Sequence, residues 1–223
     1  MGLRPVTGVL GGTFDPIHLG HLHVAEQAAA ILGLETVLLM PSARPPHKLT
    51  GHVTGNRHRL SMLRLAVDSR PVLTVSTLEY DRHGLSYTID TLRSLRTGDR
   101  PVDPVFLIGG DVLAELHTWK EYRSILTEFD LAVIRRPEDP RDGDRLDPEV
   151  RRRLVDYPVA DPDLQPAPGR GGRIFRLEVD PVPISSTAVR RAAAIGAPIH
   201  GLVPLSVAKY IQDHQLYRRE APP

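Results

Sequence analysis

The chain has 223 residues, with 28 Lys and Arg against 27 Asp and Glu, 41% hydrophobic residues, 25% charged residues and no cysteine. That length suits one α/β domain with a sizeable buried core, and a formal charge of +1 excludes a general electrostatic pull toward nucleic acid or anionic membrane. Disulfides, thiolate nucleophiles and thiolate metal sites are excluded with the cysteines, and apolar runs such as Val37–Met40 are far too short to span a bilayer.

Met1 to Leu10 lacks a long apolar run, and position 6 is valine where a myristoylation signal needs Ser or Thr, so a cytoplasmic location is expected. Short apolar, β-branched runs predict strands at Gly8–Leu10, Val37–Met40, Leu73–Leu78, Val105–Ile108, Leu131–Ile134 and Ile174–Val179. Amphipathic stretches predict helices at Leu19–Leu32, Asn56–Asp68, Tyr87–Arg96, Val112–Leu116 with Tyr122–Glu128, Ser186–Ala194 and Pro204–Gln212. Strands alternating with helices indicate a doubly wound, parallel α/β sheet in a single domain, 1–223. The Pro-, Asp-, Arg- and Gly-rich stretch at about 137–172 breaks the alternation and reads as a mobile surface insertion, with a short helix near Pro148–Tyr157. Its Arg151–Arg153 run reads as a solvated face. C-terminal helices are expected over about 185–217.

The first constellation is Gly11-Gly12-Thr13-Phe14-Asp15-Pro16-Ile17-His18-Leu19-Gly20-His21. Glycines directly after a strand allow close approach of a ligand, and Asp15-Pro16 reads as a turn with proline near the first helical position. In parallel sheets this strand-to-helix junction borders the ligand crevice, and the helix start offers free N–H groups to an anion. His18 and His21, three apart, fall on one side of a helical turn. Imidazoles there suit phosphate oxygens, as donors when neutral or as cations when the anion arrives. The glycine spacing is not G-x-G-x-x-G and no Gly-Lys-Ser/Thr follows, which argues against hydride transfer and P-loop hydrolysis. A second constellation, Ser185-Ser186-Thr187-Ala188-Val189-Arg190, opens a helix with hydroxyl caps and carries an arginine one turn in.

Gly12-Thr13-Phe14-Asp15-Pro16 with His18, Gly20 and His21 resembles the signature of the HxGH nucleotidyltransferase superfamily, and Ser185, Thr187 and Arg190 match its SxTxxR motif. The resemblance implies a Rossmann-like fold and transfer of AMP from ATP. His18, His21 and Arg190 would be catalytic. Gly11, Gly12, Thr13, Phe14, Gly109, Asp111, Arg136, Ser185, Ser186 and Thr187 would join them in binding ATP.

The acceptor is addressed by other stretches. Pro41–Lys48 is a proline-stiffened loop with cationic reach, and it is similar to the PxxxPPHK loop of bacterial nicotinate-nucleotide adenylyltransferases. Ser86–Leu92 resembles another hallmark of that family, a capped helix start suited to a carboxylate, and Gly109-Gly110-Asp111 a third. By resemblance the acceptor nicotinate mononucleotide would meet Ser42, His47, Lys48 and Thr88, with its pyridine ring on Trp119. Ser42 and Lys48 stand where some relatives have asparagine and arginine. Mg²⁺ is expected to arrive bound to ATP, with no protein metal site, no nucleic-acid or membrane partner, and a homo-oligomer left open. Rival readings are the same transfer to nicotinamide mononucleotide or another phosphate acceptor, a nucleotide-binding module without catalysis, and a metal-binding protein. The last is disfavoured because His18 and His21 are not an i, i+4 zinc pair.

Overall fold

A computed structural model describes residues 4–43, 53–82, 84–135, 146–157, 171–180 and 182–218. Strands β1 (Val6–Gly12), β2 (Val37–Pro41), β3 (Leu73–Val75), β4 (Asp103–Gly109), β5 (Asp130–Arg135), β6 (Leu154–Asp156) and β7 (Ile174–Glu178) form one sheet in the order β3-β2-β1-β4-β5-β7-β6. Every pairing is parallel. The helices are α1 (Leu19–Leu32), α2 (Asn56–Val67), α3 (Thr88–Thr97), α4 (Gly110–Leu113), α5 (Tyr122–Glu128), α6 (Pro148–Arg151), α7 (Ser186–Ala194) and α8 (Leu205–Asp213).

Strand side chains alternate between two apolar layers, which is why the strands read as continuous hydrophobic runs. In β4, Val105 and Leu107 enter one layer with Leu22, Ala25 and Leu32 of α1, Met62 and Leu63 of α2 and Val207 of α8. Phe106 and Ile108 enter the other, with Ile89 and Leu92 of α3 and Ile125 and Leu126 of α5. Helix α1 ends where Gly33 adopts a left-handed conformation (φ 63°) and its N–H caps Ala29 O.

The stretch expected to be an insertion contributes to the sheet. Asp147 caps α6 through Glu149 N–H, Pro148 takes the first helical position, and Val150 is fully buried in the second layer. Strand β6 then pairs with β7 as the sheet edge. Three residues are too few to show an alternation, so this strand left no signal in the sequence. Of the arginine run, Arg151 and Arg152 are exposed while Arg153 donates to Gly172 O. Strand β3 stops at Val75, short of the expected Leu78, because Thr77 opens a turn that receives the N–H groups of Tyr80 and Asp81. Helix α4 begins two residues before the expected Val112, and a 3-10 turn at Leu116–Thr118 follows it.

The sequence moves outward from β1 to β3 on one side and from β4 on the other. The connections leaving the paired carboxyl ends of β1 and β4 therefore run to opposite faces of the sheet, which opens a crevice at that point.

Candidate active site

Glycines 11 and 12 complete β1, and their missing side chains make room for rings. A Cβ on Gly11 would lie 3.2 Å from the Phe106 ring, and one on Gly12 would lie 3.0 Å from the Phe14 ring. Phe14 takes a left-handed backbone (φ 48°) and is buried, packed edge-on against His21 with ring centres 5.0 Å apart. Its place is behind the histidine. Asp15-Pro16 is a cis peptide, and the proline stands two residues before the cap of α1, not at its first helical position.

His18 is that cap. Its backbone is extended, its side chain is buried, and its Nδ1 accepts the N–H of His21 at 3.3 Å. Burial holds the imidazole well below its ordinary pKa of 6.5, at about 4, so it is neutral at neutral pH. A neutral ring that accepts at Nδ1 carries its proton on Nε2. The His18 and His21 rings stack with centres 3.6 Å apart. Gly20 permits this, since a Cβ there would come within 3.1 Å of His18 Nδ1.

Both histidines line a cleft of about 600 Å³ with Gly109, Gly110, Asp111, Ser185 and Ser186. Leu10, Ile108, Ile134, Val179 and Ile184 supply an apolar wall that the motif reading had not singled out. These are the last apolar positions of strands and their exits, so the sheet's carboxyl edge was the available signal. Gly109 has a specific duty: a Cβ on it would fall 2.5 Å from Asp111 Oδ1, so glycine lets that carboxylate fold back over the strand end.

Helix α7 is fastened to the loop before α1. Ser185 caps it by accepting Ala188 N–H, Ser186 donates its hydroxyl to Pro16 O, and Arg190 donates through Nη1 to Asp15 O at 2.7 Å and through Nη2 to the Thr187 hydroxyl. The two constellations, some 170 residues apart in sequence, are thus in direct contact.

Of the expected acceptor residues, Ser42 donates its N–H to Gly12 O, which sets it against the end of β1. Thr88 is the first residue of α3, whose cap position is Tyr87, without a side-chain hydrogen bond; the expected hydroxyl cap is not formed. Lys120 pairs with Asp90 and lies over the Tyr87 ring, tying the α3 start to the Trp119 segment. Trp119 is half-buried, edge-on to Phe106 at 6.0 Å, and Phe106 borders Gly11. His47, Lys48 and Arg136 lie outside the described residues.

Arg59 was not anticipated. It is 1% exposed, and its guanidinium donates to Thr13 O at 2.7 Å, Ser42 O and Thr54 O at 2.9 Å each, and Asn56 Oδ1. One cation joins the loop after β1 to the exit of β2. A signal existed, because Arg59, Met62, Leu63 and Ala66 share the buried stripe of α2.

Among the described residues no helix is long and apolar enough to cross a membrane. Residues 9–192 match the cytidylyltransferase-like family. A protein of Symbiobacterium thermophilum carrying the name "Probable nicotinate-nucleotide adenylyltransferase" is 40% identical over 95% of this chain and 94% of its own length. A Pseudomonas aeruginosa protein of the same name is 40% identical over 98% and 99%. The fold is shared with the Plasmodium falciparum nicotinic acid mononucleotide adenylyltransferase complexed with NaAD, at a TM-score of 0.71 and 16% identity over 96% of this chain and 98% of that one. The chain therefore belongs to the cytidylyltransferase-like nucleotidyltransferases, within the group of nicotinate-nucleotide adenylyltransferases.

Proposed function

We infer that the chain transfers AMP from ATP to nicotinate mononucleotide, giving nicotinate adenine dinucleotide and pyrophosphate in NAD biosynthesis. The observation that carries this reading is the one cleft bordered by His18, His21, Gly109, Asp111, Ser185 and Ser186; Arg190 does not line it but stands on the same helix as Ser186, held to Asp15 O. The acceptor's phosphate oxygen attacks the α-phosphorus in line and pyrophosphate leaves. Both reactants are already anionic, so no protein nucleophile is needed, and catalysis rests on position and on charge stabilisation.

His18 serves as a neutral Nε2–H donor to the transferring phosphate, since Nδ1 is engaged by the helix it caps. His21 stacks on it and takes a neighbouring oxygen. Arg190 has two of its five N–H donors engaged by the protein and directs the remainder at the departing phosphates. ATP enters as its magnesium complex. Asp111 and Asp180, the carboxylates lining the cleft among the described residues, suit an ion that keeps most of its waters and phosphate ligands. On the acceptor side the start of α3, with no side chain capping its N–H groups, favours the nicotinate carboxylate over a neutral amide.

The test is to incubate the protein with ATP, Mg²⁺ and either nicotinate or nicotinamide mononucleotide and to identify the dinucleotide formed. Faster product formation with the acid supports the reading; equal rates, or a preference for the amide, overturn the acceptor assignment. The His21→Ala variant is expected to lose about a hundred- to a thousandfold in kcat while remaining folded. Near-normal turnover in that variant would remove His21 from the mechanism.

A further inference from the structure

Asp15 has a buried carboxylate, 5% exposed, that lies outside the chemistry described above. Each of its oxygens receives one donor. Oδ1 accepts the Tyr217 hydroxyl at 2.7 Å, and Oδ2 accepts the Thr54 N–H at 3.2 Å. Its backbone carbonyl is the same group that receives Arg190 Nη1. A buried carboxylate without donors is costly, so these two bonds fix where the Asp15 peptide sits, and that peptide in turn holds one end of the Arg190 guanidinium.

Tyr217 is 202 residues away in sequence, just past α8. Its backbone is in the left-handed region at φ 65°, a conformation uncommon for a residue with a side chain. The neighbouring Leu216 anchors the segment, donating its N–H to Ile211 O and packing with Tyr217 on the first apolar layer. Burial pushes the phenol above its ordinary pKa, so the hydroxyl stays a donor throughout the working pH range. A ring held in this way could have packed as phenylalanine does. The hydroxyl is explained by its polar contacts, the Asp15 carboxylate, to which it donates, and the Thr54 side chain.

We propose that Tyr217 is a positioning residue for adenylyl transfer, acting through Asp15 to hold Arg190 in line with the departing phosphates. This rests on the function inferred above. The segment that follows α8 would then share in the geometry of the transfer.

Tyr217→Phe keeps the ring and removes the hydroxyl. The expected result is a fall in kcat of about ten- to a hundredfold per folded molecule, as for a displaced catalytic group. KM for ATP and for the acceptor should stay within about twofold. In an Asp15→Asn background, which already disturbs the relay, adding Tyr217→Phe should change kcat by less than about twofold. Leu216→Ala loosens the same segment without touching the hydroxyl and should leave kcat within about twofold, with circular dichroism used to count folded protein. Wild-type kcat in Tyr217→Phe, independent multiplication of the two substitutions, or an equal loss in Leu216→Ala would each overturn the inference. A wild-type protein that releases no pyrophosphate overturns the function reading as well, whereas an active wild type with an unaffected Tyr217→Phe overturns this inference alone.

Discussion

His18 does two things with one ring. It caps α1 through Nδ1 and it lines the cleft, and because Nδ1 accepts, the proton of the neutral ring sits on Nε2, so the same bond that starts the helix also selects the tautomer. Burial lowers its pKa from 6.5 to about 4, and the sign of the consequence follows. Between those values the unfolded chain binds a proton that the folded chain refuses, so this group's contribution to stability is fully present above pH 6.5 and is lost as pH falls through 4. The loss amounts to about 3 kcal/mol. In a ¹⁵N-histidine titration, the His18 resonances should report a neutral ring protonated at Nε2 at pH 5.5; a ring that titrates near 6.5 contradicts the assignment. The sequence made the pair His18 and His21 visible through its spacing. It could not show that their rings stack or that the first is held neutral, because both depend on Gly20 leaving space beside the ring and on the depth of burial.

Among the elements, α2 illustrates what patterning reveals and what it conceals. Its apolar stripe was legible, and its bounds fall within a residue of those expected. Within that stripe, however, Arg59 points inward to satisfy three backbone carbonyls and Asn56 Oδ1, acceptors supplied by loops whose course no local pattern specifies. Arg59→Met should therefore lower unfolding free energy by about 3 kcal/mol or more, because buried carbonyls lose their donors. Arg59→Lys should recover only part of this, since one ammonium cannot span acceptors that a planar fork reaches from several nitrogens. Denaturant midpoints of the two variants check the prediction, and a lysine variant as stable as wild type would show that charge alone suffices. The edge strand β6 is the opposite case, an element with no signal of its own, formed because β7 offers a free edge and Val150 finds a place in the core.

Across the whole molecule, the parallel sheet was legible from the alternation of strands and helices, because burial on both faces demands apolar residues at every position of the central strands. The cleft was legible to the extent that its residues follow strand ends: His18, His21, Gly109, Asp111, Ser185 and Ser186 meet there. Gly11, Gly12 and Phe14 also shape the ring packing beside it, which the motif, marking a folded loop as a unit, does not reveal. The layers reach the cleft only at the strand ends, and Ile125 is not among the residues that line it. Ile125→Ala, in the fully buried second layer, should destabilise by about 2–5 kcal/mol while turnover per folded molecule stays close to wild type. A matching fall in specific activity would show that this layer also controls the cleft.

The contacts of Ser186 and Arg190 with residues 15 and 16 have a temporal consequence. On a ribosome the first strand and both histidines emerge well before the segment that docks against them, an interval on the order of ten seconds at ordinary rates of synthesis. Until then the Asp15 carbonyl has no guanidinium and the cleft lacks one wall. A nascent chain stalled before Ser185 would thus be already sheet-like yet incapable of gripping a triphosphate, and competence would arrive only with the last helices.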